Sequence, residues 1–208
     1  MKTKVCGIKS PLNAREIAAL RPQFMGFIFH PASPRHVTDP TAAAVTLDEG
    51  HVRRVGVFVN PDLETVLDRV GAFHLDYVQL HGDEDPGFCA TVAGFVPVIK
   101  AFRVDDDFAF AQTTPYESMC DLFVFDAKGK YYGGNGHKYD WSVMARYEGS
   151  TPFLLSGGIG PEDSAAVREF SHPMFAGVDL NSGFETAPGE KDPVLLRQFF
   201  DSIQAEKV

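Results

Sequence analysis

Short apolar runs rich in Val, Ile and Phe recur along the chain, each closing on a cluster of polar, Gly or Pro residues. Their length suits buried strands better than helices. They fall at 3–8 (TKVCGI), 24–29 (FMGFIF), 54–59 (RVGVFV), 76–80 (DYVQL), 97–102 (PVIKAF), 121–126 (DLFVFD), 152–156 (PFLLS) and 175–180 (FAGVDL). Between them the apolar spacing turns helical, as at Leu63, Val66, Leu67 and Val70 behind Asn60-Pro61-Asp62, and at Ala165, Ala166, Val167 and Phe170 behind Pro161. Strands apolar on both faces that alternate with helices predict a parallel sheet. Eight such units predict one α/β domain over residues 1–208, a single-domain (β/α)8 (TIM) barrel. An open doubly wound sheet is the alternative, but its usual G-x-G-x-x-G turn is absent after the first strand, where the chain reads CGIKSPLN. The glycine-rich stretch Gly129–Gly136 reads as a mobile flap over the barrel mouth.

Composition narrows the class. With 208 residues, 44% of them hydrophobic and 23% charged, the chain can build a core without disulfide or metal staples. Nineteen Lys and Arg against 28 Asp and Glu give a net charge of −9, and no basic run exceeds Arg53-Arg54, so nucleic acid is not an expected partner. An anionic metabolite stays possible, because surface charges beyond ~10 Å are screened from a local site. No segment approaches the ~20 apolar residues of a spanning helix, so no membrane contact and a cytoplasmic location are expected. Cys6, Cys89 and Cys120 are odd in number and never spaced C-x-x-C, which argues against both a disulfide framework and a zinc knuckle. None of the seven histidines pairs at metal-ligand spacing, and neither H-E-x-x-H nor G-x-S-x-G occurs; no metal is expected. Oligomeric state stays open between monomer and homodimer.

In a barrel of this kind, reacting groups project from the carboxyl ends of the strands. Here those ends carry Cys6, Gln79, His81, Asp126, Asp179 and Asn181, with Arg35 on a proline-stiffened loop after the second strand. The seventh and eighth units end in SGGIG and DLNSG, two glycine turns whose N–H groups could cradle a phosphate. Each feature has a plainer alternative. Cys6 could be a small buried hydrophobe, Asp126 a helix cap or a partner of Lys128, Arg35 a solvated cation, His81 a supporting hydrogen-bonder, and the glycines mere tight turns.

Taken together, KVCGIK (4–9), MGFIFHPASPRHV (25–37), VGVFVN (55–60), VQLHGDE (78–84), VIKAF (98–102), FDAKG (125–129), GGNGHKYDW (133–141), LSGGI (155–159) and GVDLNSGFETAPGEKD (177–192) resemble the phosphoribosylanthranilate isomerase family of tryptophan biosynthesis over nearly the whole chain. The resemblance implies a (β/α)8 barrel. It also implies a cofactor-independent Amadori rearrangement of N-(5-phosphoribosyl)anthranilate, a small phosphorylated substrate, to the carboxyphenylamino-deoxyribulose phosphate. It assigns the general base to Cys6, the general acid to Asp126 and the anthranilate-carboxylate contact to Arg35. Phosphate contacts fall on Gly157, Gly158, Asn181, Ser182 and Gly183, and His81 and Asp179 match positions near the substrate. Asn181-Ser182-Gly183 stands where many members have Ser-Ser-Gly, and Tyr131-Tyr132 in the flap is not required by the family pattern.

These roles ask Asp126 to hold a proton at neutral pH and Cys6 to give one up. A thiol is mostly protonated at pH 7, so a lowered Cys6 pKa is expected, helped by helix termini or by Lys9. Rival barrels are a ribulose-phosphate epimerase, which would want metal ligands, and the histidine-pathway isomerase, which would want two aspartates. A non-catalytic phosphate sensor is a rival of another class.

Overall fold

In the computed structural model, residues 1–46, 50–128 and 140–204 are described. The eight predicted strands occur in the predicted order, with ends differing by at most two residues: β1 (Lys2–Cys6), β2 (Phe24–Ile28), β3 (Arg53–Phe58), β4 (Tyr77–Leu80), β5 (Val98–Val104), β6 (Leu122–Ala127), β7 (Phe153–Leu155) and β8 (Phe175–Leu180). Each pairs in parallel with the next, and β8 returns to β1, closing the barrel. The closing register sets Lys4 beside Asp179, while Cys6 lies beside Gly26 of β2. The predicted flap falls outside the described residues.

Local chemistry turns the chain at the barrel mouth. Ser10 accepts from the Asn13 N–H to start α1 (Pro11–Ala18), ahead of the short α2 (Thr41–Ala44). Asp62 accepts from Thr65 to start α3 (Leu63–Phe73), and Asp85 accepts from Phe88 to start α4 (Pro86–Ala93). A capping oxygen satisfies a backbone donor that the first helical turn leaves unpaired. Two units depart from the predicted strand-then-helix pattern: after β5 and β6 the links are 3₁₀ turns, Phe110–Tyr116 and Trp141–Arg146. Pro115 removes a donor that a longer helix would need in the first of these. A further 3₁₀ turn, Pro161–Asp163, leads into α5 (Ser164–Glu169), and α6 (Pro193–Gln204) ends the described chain. Between β8 and α6 lies an unpredicted hairpin, β9 (Glu185–Ala187) with β10 (Glu190–Lys191).

Burial divides the apolar residues into two sets. Phe27, Phe73, Phe123, Phe125, Phe153 and Phe199 belong to the layer between barrel and helices. A smaller set, including Phe24, Val55, Val57, Ile99, Leu122, Val124 and Leu154, fills the barrel, and Cys6 belongs to it. Side chains alternate along a strand, so Leu122 and Val124 carry their inward face up to Asp126, and Lys4 shares the inward face of Cys6. The interior thus turns from apolar to ionic toward the carboxyl ends. No described helix is long and apolar enough to cross a membrane.

Candidate active site

A cavity of about 490 Å³ opens there. Nine of the predicted site residues line it: Cys6, Arg35, His81, Asp126, Gly157, Gly158, Asp179, Asn181 and Ser182. Gly183 is not on its wall. A Cβ at Gly183 would lie 2.3 Å from the Ile159 carbonyl oxygen, so this glycine lets the turns after β7 and β8 pack together. Gly157 has φ +91°, and a Cβ there would lie 2.4 Å from the Ala127 nitrogen; only glycine suits that turn. The two predicted phosphate turns are therefore adjacent, one braced on β6 and the other on its neighbour.

Strand order distributes the wall chemistry. The Gly157-Gly158 and Asn181-Ser182 turns follow β7 and β8. Ile28, Pro34, Val57 and Val59, with Arg35, form an apolar flank at β2 and β3. Cys6 on β1 stands between these two regions on one side, and His81 and Asp126 stand between them on the other.

The Cys6 environment corrects one expectation. Burial pushes its pKa up, and Asp179 adds to the rise, whereas Lys4 and Lys191 oppose it. Lys9 is not the cation involved: its ammonium donates to the Pro34 carbonyl at 3.2 Å. Lys4 is fully buried inside the barrel and donates to Asp179 Oδ2 at 2.7 Å. Burial alone would lower its pKa, but Asp179 and Cys6 hold it above the ordinary lysine value. Burial raises Asp179 in turn, against the pull of Lys4. Asp179 Oδ1 is buried with no hydrogen-bond partner among the described residues.

Across the cavity, Asp126 pairs not with Lys128, which reaches Asp105, but with His81, whose Nε2 lies 3.2 Å from Oδ2. His81 Nδ1 lies 2.8 Å from the Gln79 side-chain nitrogen. The His81 ring is thus held between the Gln79 amide on one side and Asp126 Oδ2 on the other. Beneath this chain, Lys100 of β5 donates to the Leu80 and Gly82 carbonyls and to Glu84, while Glu84 accepts from the Asn60 and Gly82 N–H groups. This buried pair fixes the turn that carries His81.

The Arg35 guanidinium is held by Glu185 of the unpredicted hairpin. Lys191 joins them, 2.6 Å from Glu185 Oε1 and 2.7 Å from Asn181 Oδ1. Hydrogen bonding to Glu185 raises Arg35 further above its usual range. Burial opposes ionisation of Glu185, yet its bonds from Arg35 and Lys191 hold it below the ordinary carboxylate value. Burial brings Lys191 down to about 8 despite Glu185.

Sequence reasoning did not single out Lys4, Glu84, Lys100, Glu185 or Lys191. The available signal was a lysine inside an apolar strand, at Lys4 two residues before Cys6 and at Lys100 in PVIKAF. Such a residue is costly to bury unless a carboxylate meets it.

A family model described as N-(5'-phosphoribosyl)anthranilate (PRA) isomerase matches residues 3–202. The chain is 46% identical over 207 residues to a Parabacteroides distasonis protein named N-(5'-phosphoribosyl)anthranilate isomerase, covering 98% of this chain and 93% of that one. The crystal structure of phosphoribosyl anthranilate isomerase from Thermotoga maritima superposes with a TM-score of 0.87 at 32% identity, covering 98% of each chain. A structure of phosphoribosyl anthranilate isomerase in complex with reduced 1-(o-carboxyphenylamino)-1-deoxyribulose 5-phosphate superposes at 0.84, with 29% identity and the same coverage.

Proposed function

Because the chain belongs to the N-(5'-phosphoribosyl)anthranilate isomerase family, an isomerase family of tryptophan biosynthesis, we propose that its cavity performs the Amadori rearrangement with Cys6 as general base and Asp126 as general acid. The observation that carries this reading is the arrangement of the wall. A substrate with phosphate at one end and a benzoate at the other spans from the β7–β8 turns to the apolar β2–β3 flank. Its sugar carbons then lie between the β1 thiol and the β6 carboxyl group.

The chemistry assigned to each group follows from its place. Backbone N–H groups at Gly157-Gly158 and the Asn181-Ser182 turn take the phosphate, as glycine turns suit a close anion. Arg35 faces the substrate carboxylate beside the apolar flank. Asp126 protonates the furanose ring oxygen, which opens the ring to the imine, and Cys6 removes the proton on C2 to give the enolamine. The ketone forms by tautomerisation. Acid and base act on opposite sides of one small molecule, and each such group is worth roughly 10²–10⁴-fold in rate. His81, held by Gln79, orients Asp126 through Oδ2.

Loss of fluorescence of freshly generated phosphoribosylanthranilate tests the activity. Enzyme-dependent decay is expected, and binding of substrate without decay would favour a phosphate-binding barrel instead.

A further inference from the structure

Three buried groups at one end of the β1–β8 seam have a charge relationship that the base and acid assignments do not use. Lys4 and Cys6 share the inward face of β1, and Lys4 pairs with Asp179 of β8 both in strand register and through its side chain. Lys4 is sealed from the cavity, whereas Cys6 and Asp179 both line it. One Asp179 oxygen is committed to Lys4, and the other, Oδ1, has no partner among the described residues although it is buried. Oδ1 is therefore the Asp179 oxygen open to a proton.

We propose that Lys4 is a positioning residue that serves as counter-cation to the Cys6 thiolate, and that Asp179 Oδ1 takes up the thiol proton that creates it. The proposal rests on Cys6 as the base. In the transfer the S–H bond breaks, its electron pair stays on sulfur, and an O–H bond forms on Asp179, while Lys4 remains an ammonium. The trio is neutral before and after, as thiol with carboxylate and then as thiolate with carboxylic acid. Moving a proton within a buried cluster avoids the burial of a new net charge, which makes bare ionisation of a buried thiol unfavourable. When the thiolate takes the C2 proton it becomes a thiol again; as the enolamine becomes the ketone, the proton on Asp179 goes to C1 and the C2 hydroxyl proton goes to the Asp126 carboxylate, which restores the acid.

The other charged groups nearby set the direction. Lys191 of β10 and Arg35 after β2 face Cys6 and favour the thiolate. Asp126 faces Asp179 and favours its protonated form, whereas His81 opposes that. Among the described residues, Lys4 is the cation that pairs with Asp179 and also shares the inward face of β1 with Cys6.

Alkylation of Cys6 by iodoacetamide, followed against pH by mass spectrometry of the Cys6 peptide, reads the thiolate directly and separates it from Cys89 and Cys120. In Lys4→Met the alkylation midpoint is expected to move up by about one pH unit or more, with kcat down about 100-fold and KM changed less than about threefold. In Asp179→Asn the midpoint is expected to move down, because the repelling carboxylate is gone, while kcat still falls because the proton has no acceptor. A folded Lys4→Met protein with an unchanged midpoint overturns the proposal, as does Asp179→Asn with a lowered midpoint and undiminished kcat. Should Lys4→Met not fold, the neutral pair Lys4→Met/Asp179→Asn replaces it; its midpoint is expected above that of Asp179→Asn alone, and equal midpoints overturn the proposal. Cys6→Ser with normal turnover would instead remove the base assignment itself.

Discussion

Arg35 and Glu185 form a two-pronged ion pair at the rim of the barrel, with Nη2 2.6 Å from Oε2 and Nε 2.8 Å from Oε1. The guanidinium is therefore oriented before any substrate arrives, and its orientation depends on a hairpin that follows β8. Little rotamer entropy remains to be lost when it meets a carboxylate.

Arg35→Met is expected to raise KM strongly while kcat at saturation changes much less, because the lost contact lies at the benzoate end and not at C2. It should also destabilise the fold by about 1–3 kcal/mol, since Glu185 is left buried with Lys191 as its remaining cation. Steady-state kinetics and urea unfolding measure the two effects. An unchanged KM would mean that Arg35 serves only Glu185.

Gly183→Ala tests the phosphate cradle without altering a wall residue. The added methyl group would meet the Ile159 carbonyl oxygen, so the turns after β7 and β8 must separate. Inhibition by inorganic phosphate is expected to weaken by about tenfold, the loss of a single charge-assisted hydrogen bond. Inhibition as strong as that of the parent protein would place phosphate elsewhere.

Lys191 gives a pH dependence with a defined sign. Its folded-state value is about 8, below the ordinary 10.5, because of burial. Between pH 8 and 10.5 the unfolded chain therefore holds a proton on this side chain that the folded chain has released, and stability contributed by this group rises with pH across that window. Thermal unfolding should show the parent protein gaining on Lys191→Met as pH climbs from 8 to 10. A constant difference between the two would show that Lys191 titrates normally.

The barrel was legible because its interior strands are apolar on both faces and end abruptly in polar residues, so FMGFIF or DLFVFD announces both a strand and the rim above it. Cys6, His81, Asp126 and Asp179 were legible for the same reason, standing at those ends. The ionic partners were not. Glu185 and Lys191 lie in a hairpin whose strands span only Glu185–Ala187 and Glu190–Lys191, too short to leave a periodic signal, and their partners are far away in sequence. Lys4 was passed over because an inward lysine reads as a break in an apolar run until the β1–β8 closure supplies Asp179. The same gap misassigned the cation near Cys6 to Lys9, which is close in sequence but turns toward Pro34.

Turnover of Cys6→Ser and Asp126→Asn, compared with the affinity of each for reduced 1-(o-carboxyphenylamino)-1-deoxyribulose 5-phosphate, tests the proton-transfer assignment most directly. The expected result is kcat lowered by about 10²–10⁴-fold or more in each variant, with affinity for that compound within a few-fold of the parent protein. Near-normal turnover in either variant would contradict the role given to that residue.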